Sequence, residues 1–470
     1  VHNPGDRACR HTNFVSFFPS CRALAEPYNG RIRTSRSIPG QETYTLGFSP
    51  IHSLAMSQIA SLSSTTTGAA TATSVKKQGN VSTLSRDLTA IDTYGNEFQA
   101  PDYTIKDILS VIPAHCYERR TLESLYYVAR DIFWMGVFAY AANNYIHVLP
   151  NATLRFAAWT VYCITQGLLG TGLWVLAHEC GHQAFSDSRL VNDTVGWVLH
   201  SYWLVPYFSW KFSHGKHHKA TGHMTRDMVF VPKTREEFVE KHHGLSIEEI
   251  ASDLPLVSLW SLILQQGFGW IMYLFTNVTG QKVASTGWGM NHFNPASAIF
   301  EKNQYWYIVL SDIGILTQLF VLYTWYTHYG AFNVLVNWFL PYLGVNHWLV
   351  FITFLQHSDP QMAHYEADQW NFARGAAATI DREFGFIGKH IFHDIIETHV
   401  LHHYCLRIPF YNAREASEAI KKVMGKHYRY SDENMWKSLW KSARWCQFVE
   451  GDNGLLMYRN VNGFGVPPKK

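Results

Sequence analysis

Four stretches of this 470-residue chain contain no Asp, Glu, Lys or Arg: residues 132–154, 156–178, 254–281 and 313–358. A helix needs about 20 mostly apolar residues to cross the hydrocarbon of a bilayer. The first three stretches are each long enough to cross once, and the last is long enough to cross twice. Charge is confined to the polar segments between them, so the near-zero mean hydropathy of −0.11 conceals a polytopic membrane protein. The expected fold class is all-α. The net charge of +3 comes with no basic arm suited to nucleic acid. The seven cysteines lack metal or disulfide spacing, which fits a reduced, cytosol-facing protein.

The chain begins with Val1, and its first methionine is Met56. Residues 1–55 have no useful periodicity, and 56–88 are rich in Ser, Thr and Ala, a composition that does not build a core. Residues 1–91 are therefore expected to be a non-native or disordered extension, with a natural start near Met56, and 92–470 the functional domain. No signal-peptide pattern follows Met56.

Imidazoles crowd three places: HECGH at 178–182, HGKHH at 214–218 and HVLHH at 399–403. On a helix, histidines at i, i+3 and i+4 share one side. A single zinc takes three or four ligands in all, whereas these eight histidines suit two metal ions. Imidazole serves Zn, Cu, Fe and Ni, so ligand type leaves the metal open. Neutral ligands leave the cations' charge uncompensated, which favours an oxidising centre, and paired iron activating dioxygen beside a lipid chain is the natural chemistry. If the clusters act together they lie on one side of the membrane. Parity then makes one apolar stretch interfacial or re-entrant. That stretch is expected at 256–276, with two Gln and two Gly in LILQQGFGWIMYLF, and 194–210 is likewise expected to be interfacial. Four transmembrane helices in two hairpins remain, with a cytosolic helical cap carrying the histidines.

The strings HECGHQAFS, SHGKHHKATGH and HVLHHYCLRIPFYNA together resemble the membrane fatty acid desaturases, closest to fungal endoplasmic-reticulum enzymes acting at carbon 12 or the omega-3 position. DTYGNEF, FLQHSDP and KSARWCQFVE extend the resemblance from about Asp92 to the C-terminus. It implies a non-haem centre of two iron ions, O2 as co-substrate, and electrons from cytochrome b5 and NADH-cytochrome b5 reductase. The implied iron ligands are His178, His182, His214, His217, His218, His399, His402 and His403, with His357 a ninth candidate. Glu179, Asp227, Asp381 and Glu397 are candidates to accept the second N–H of a ligating ring; ion pairs with Arg226 or Arg382 are the plainer role for them. His223, His242 and His243 read as surface histidines, and His390 and His393 as packing or hydrogen-bonding groups. Lys211, Lys216, Lys219, Lys389 and Arg407 either steer an acidic electron donor or are solvated near headgroups.

The expected reaction removes two hydrogens from adjacent methylenes of a phospholipid-linked oleoyl chain, leaving a cis double bond at Δ12. An omega-3 or bifunctional desaturase and an oleate hydroxylase are the near alternatives. Leu406, where such enzymes commonly carry Ser, leaves the product type open. From a different class, HECGH also satisfies the H-E-x-x-H of zinc proteases, with Glu179 as base. An intramembrane protease needs a distant acid, however, and the nearest string, NPAS at 294–297, lacks one. A metal-binding scaffold without catalysis is the third reading.

Overall fold

The computed structural model describes residues 87–242, 255–282 and 289–469. The expectations for residues 1–86, including a start near Met56, and for His243 lie outside the described residues. The chain opens with a hairpin of β1 (Thr89–Ile91) and β2 (Glu97–Gln99). Helix α1 (Ile105–Ser110) follows, started by a capping box between Thr104 and Asp107. Helices α2 (Thr121–Tyr145) and α3 (Ala152–His182) form the first long hairpin. Between them the chain breaks at Pro150 and Asn151, and the Asn151 side chain accepts from the Leu154 N–H and caps α3.

Residues 194–210 do not form one segment. Helix α4 (Arg189–Tyr202), capped by Ser188, gives way at residues 203–206 to α5 (Tyr207–Ala220). Leu204 takes a left-handed φ of 52° at this corner, and Pro206 starts the new helix. Short α6 (Arg235–Lys241), α7 (Pro255–Thr276), α8 (Tyr305–Val334) and α9 (Leu340–His357) follow.

Among the described residues, two stretches are long and apolar enough to cross a membrane, Ala152–His182 and Lys302–His357. The second spans 56 residues and is not one rod. Gly330, at φ 80° and ψ 169°, interrupts it, in a conformation that a side chain would resist. Each arm has more than the 20 or so residues a bilayer crossing requires. The outward faces are strongly apolar, with Phe156 74% exposed and Trp306 76% exposed, a coating that water would penalise and lipid would not.

Past α9 come α10 (Phe372–Ala376), α11 (His399–Tyr404), α12 (Phe410–Met424) and α13 (Met435–Trp445). They are interleaved with short strands, which the all-α expectation did not include. β3 (Ala363–Tyr365), β4 (Asp381–Arg382), β5 (Tyr430–Ser431), β6 (Phe448–Glu450) and β7 (Leu455–Arg459) make one three-stranded and one two-stranded sheet. The architecture is thus mainly helical, with small sheets tying the C-terminal segment to the turn after α9. Its main core joins α3, α5, α7 and α9 to the segment before α11 through Trp174, Trp210, Trp270, Leu349, Phe392 and Ile396. That shared core brings three motifs distant in sequence to one place.

Candidate metal centre

The histidine spacing acquires its meaning from how the helices meet. On α3, His178 and His182 lie one turn apart, their Nε2 atoms 3.2 Å from each other. On α5, the Nε2 atoms of His214 and His218 are 3.0 Å apart, and on α11 those of His399 and His403 are also 3.0 Å apart. Each of these two helices, α5 and α11, gives its i+3 imidazole to a different group from its i, i+4 pair. His178, His182, His214, His218 and His402 therefore form one group, whose ligand atoms all lie within 4.8 Å of one another. His217, His357 and His403 form a second, joined by His399, whose Nε2 is 3.1 Å from that of His357. Nine imidazoles converge, five on one point and four on another. The final turn of α9 supplies His357, the ninth candidate.

These contacts cannot all be hydrogen bonds. A ring nitrogen either donates one proton or accepts one, yet His178 Nε2 faces both His182 and His214. His214 Nε2 faces both His178 and His218, and His399 Nε2 faces both His357 and His403. His217 Nε2 and His402 Nε2 are buried with no hydrogen-bond partner at all. A shared cation satisfies every one of these nitrogens. Two imidazoles bound at right angles to one ion, each at roughly 2.1 Å, place their nitrogens about 3.0 Å apart, which is the observed spacing. The residues fit two metal ions.

Outer groups fix which nitrogen faces inward. Asp227 Oδ1 lies 2.6 Å from His217 Nδ1, so the ring donates there and leaves Nε2 free. Thr221 Oγ1 lies 2.8 Å from the His217 carbonyl oxygen and 3.0 Å from His403 Nδ1. Its one proton goes to the carbonyl, and the hydroxyl accepts from the ring, orienting His403 in the same sense. Burial first, then mutual repulsion among neighbouring rings, pushes His214, His218, His399 and His403 well below the ordinary histidine range. His402 is pushed down to about 3, again mainly by burial. These five rings are therefore held neutral, as ligation requires.

Of the four expected outer carboxylates, Asp227 alone hydrogen-bonds to an imidazole of the cluster. Glu179 stays 4.0 Å from His178 Nδ1 and accepts instead from the Phe410 N–H. Asp381 accepts from the Val400 N–H and the Tyr428 hydroxyl, holding the first turn of α11 from a neighbouring strand. Glu397 accepts from the Phe384 N–H. Asp381 therefore holds the backbone of the third motif, whereas Glu397, two residues ahead of it, ties that segment to the backbone after β4. Arg382 does not pair with Asp381; it reaches Asp359 and the Leu355 carbonyl. His223, expected at the surface, is 2% exposed and packs against Trp370. His242 is half-buried, bonded to the Phe238 carbonyl. His393 is buried against Asp131 at 2.8 Å, as a hydrogen-bonding histidine should be. Among the candidate steering cations, Lys211 is paired with Asp193 and Lys216 reaches the Ile299 carbonyl, while Lys219, Lys389 and Arg407 are exposed. Thr221 was not singled out by sequence, although it stands one turn beyond His217.

Three cavities meet the histidines, the smallest, of about 10 Å³, at His402 alone of the nine. One of about 610 Å³ runs between α7 and α9, lined by Phe268, Trp270, Met272, Val350 and Phe354, and reaches His214. A second, of about 40 Å³, lies directly against His178, His217, His357 and His399. Trp174, His214, Leu349 and Thr353 line both, so the large apolar cavity leads to the metal centre. A larger cavity of about 750 Å³ between α2, α3, α4 and α8 touches none of the nine histidines. Trp203, Tyr207 and Phe208 are core residues, whereas Trp174 and Trp210 line the approach.

A mainly helical protein with apolar outer faces thus places convergent imidazoles, spaced to fit metal ions, at the foot of an apolar cavity. The chain belongs to the fatty acid desaturase family, whose model, described as fatty acid desaturase, matches residues 156–433. It is 50% identical over 407 residues to an oleate hydroxylase of Claviceps purpurea, covering 80% of this chain and 85% of that one. It is 43% identical over 391 residues to a Δ12 fatty acid desaturase of Mortierella alpina, covering 81% and 97%. A Δ12 acyl-lipid desaturase of Punica granatum is 41% identical over 358 residues, covering 75% and 88%. The protease and scaffold readings give way to this membership.

Proposed function

We propose that this enzyme is an acyl-lipid desaturase that converts oleoyl to linoleoyl chains by introducing a cis double bond at Δ12. The observation that carries the reading is the apolar cavity ending at His214, beside two groups of five and four imidazoles. The names of the Mortierella and Punica relatives set the carbon. His178, His182, His214, His218 and His402 hold one iron, and His217, His357, His399 and His403 hold the other. When bound, the irons supply the O2 chemistry that removes two hydrogens. The chain's own residues do the rest. Asp227 and Thr221 orient rings; Trp210, stacked on His214 at 4.5 Å, closes the cluster; and Leu349 and Thr353 hold one stretch of the acyl chain beside it, which is how positioning lowers the barrier.

In this reading α2, α3 and the two arms of 302–357 span the endoplasmic-reticulum membrane as two hairpins, α7 lies along the interface, and the histidines face the cytosol. Electrons come from cytochrome b5 and its NADH-dependent reductase. The C. purpurea relative favours a second reading, hydroxylation of oleate, which requires the same metal pair and the same bound chain. Expression in a yeast that makes only monounsaturated fatty acids, followed by gas chromatography, separates them. Linoleate supports the proposal. Hydroxy-oleate identifies a hydroxylase, and conversion only of added linoleate to linolenate identifies an omega-3 enzyme.

A further inference from the structure

Each turnover of the proposed desaturation consumes two electrons and two protons, as O2 and two C–H hydrogens become two waters and an alkene. The electrons come from outside the chain, from a one-electron carrier protein, and they must cross from the protein surface to a buried cluster. Electronic coupling falls steeply across empty gaps and less steeply along bonds and hydrogen bonds, so a continuous bonded path is favoured.

Several of the cluster's imidazoles offer no start to such a path. The Nδ1 atoms of His178, His218 and His399 are buried without a partner. His217 leads to Asp227, which is itself 1% exposed and otherwise bonds the amides of Gly222, Val229 and Phe230. His403 differs. Its Nδ1 meets Thr221 Oγ1 at 3.0 Å, and the Thr221 carbonyl accepts from the indole Nε1–H of Trp370 at 2.9 Å. Trp370 is partly exposed. The guanidinium of Arg226, an exposed residue, lies 4.9 Å from its ring centroid. Gly375 leaves room for this junction, because a Cβ there would stand 2.6 Å from the indole nitrogen and 2.3 Å from the Thr221 oxygen.

We infer that Trp370 is the port through which electrons reach the metal pair, by way of Thr221 and His403. This rests on the reading of the site as a di-iron centre. The donor would give up one electron at a time beside Arg226, and two such electrons would reduce a ferric pair held by the histidines to the ferrous state. The same indole also bonds the carbonyl of Thr221, the residue that ends α5, so the port must be told apart from a structural cap.

The test compares wild-type enzyme with Trp370→Phe in phosphatidylcholine vesicles, without oxygen, following reduction of the iron by reduced cytochrome b5 and by a small mediator, methyl viologen. The port predicts slowed donor-driven reduction, with unchanged mediator-driven reduction and unchanged iron content. Equal slowing with both reductants, or lost iron, identifies a structural cap and overturns the port; so does no slowing. A second measurement needs no metal: cytochrome b5 should protect Arg226 of the metal-free enzyme from phenylglyoxal, and absence of protection also counts against it. A wild-type protein holding no reducible metal defeats the di-iron reading first, a result distinct from all of these.

Discussion

Asp227 Oδ1 and His217 Nδ1 lie 2.6 Å apart, and each side chain is 1% exposed. No water competes for this bond, and Asp227 also accepts from the amides of Val229 and Phe230. The carboxylate thus fixes the ring and the loop behind it together. Partners of this kind are worth about 10–100-fold in metal affinity or activity. Asp227→Asn should retain the fold and lose iron from one of two positions, read as a fall from two irons per chain toward one. Asp227→Ala should also lower the thermal midpoint, since the loop amides lose their acceptor.

The join between α3 and the segment ahead of α11 is equally exacting. A Cβ added at Gly172 would stand 2.3 Å from the Ile391 carbonyl oxygen, whereas one at Gly136 meets nothing within 4 Å. Backbone cannot swing aside as a side chain can. Gly172→Ala should destabilise by about 1–3 kcal/mol, the usual cost of overpacking. Gly136→Ala should be neutral or mildly stabilising, since it removes backbone freedom from a helix interior. Thermal unfolding of the two variants in detergent reads the contrast.

These two cases mark what the sequence could reveal. The i, i+3, i+4 spacing of His214, His217 and His218 was legible because helical geometry is local, whereas His357 was a candidate only through the family resemblance, just after the last expected span. How each short helix divides its histidines between two groups depends on the angle at which α5 and α11 meet, which no local pattern encodes. Asp381 and Glu397 were chosen for charge and proximity in sequence, yet both bond backbone amides. A carboxylate's partner is set by what the tertiary fold brings to it. The strands escaped for the same reason: Ala363–Tyr365 pairs with Leu455–Arg459, across more of the chain than any periodicity window spans. His223 reads as a surface residue beside charged neighbours, and only its packing under Trp370 buries it.

Acid should loosen the metal-free protein in a defined window. Burial, the largest cause in each case, pushes His223 and His364 down to about 4 and His402 down to about 3. In the unfolded chain these rings titrate near 6.5. Below about 6.5 the unfolded state therefore binds more protons than the folded one. Stability is full above that value and falls as pH drops toward 4. Through these rings the thermal midpoint of metal-free enzyme should decline steadily below about pH 6.5. A midpoint that rises on acidification would contradict the neutral, buried state of these rings. The iron-loaded enzyme should resist until protons displace the metal.

Which cavity takes the acyl chain can be decided by filling each in turn. Thr353 lines both the 610 Å³ cavity and the small space against the histidines. Val198 lines the 750 Å³ cavity, which contains no histidine of the cluster. Size alone favours the second, but an oxidation at a metal pair requires the reacting carbons to sit beside it. Thr353→Trp should therefore abolish fatty acid product while leaving two irons per chain, because the obstruction lies in the approach and not among the ligands. Val198→Trp should leave product yield within about twofold of wild type, as its side chain is 52% exposed and touches nothing on the route. The reverse result, with Val198→Trp inactive and Thr353→Trp active, would move the substrate to the other side of α3.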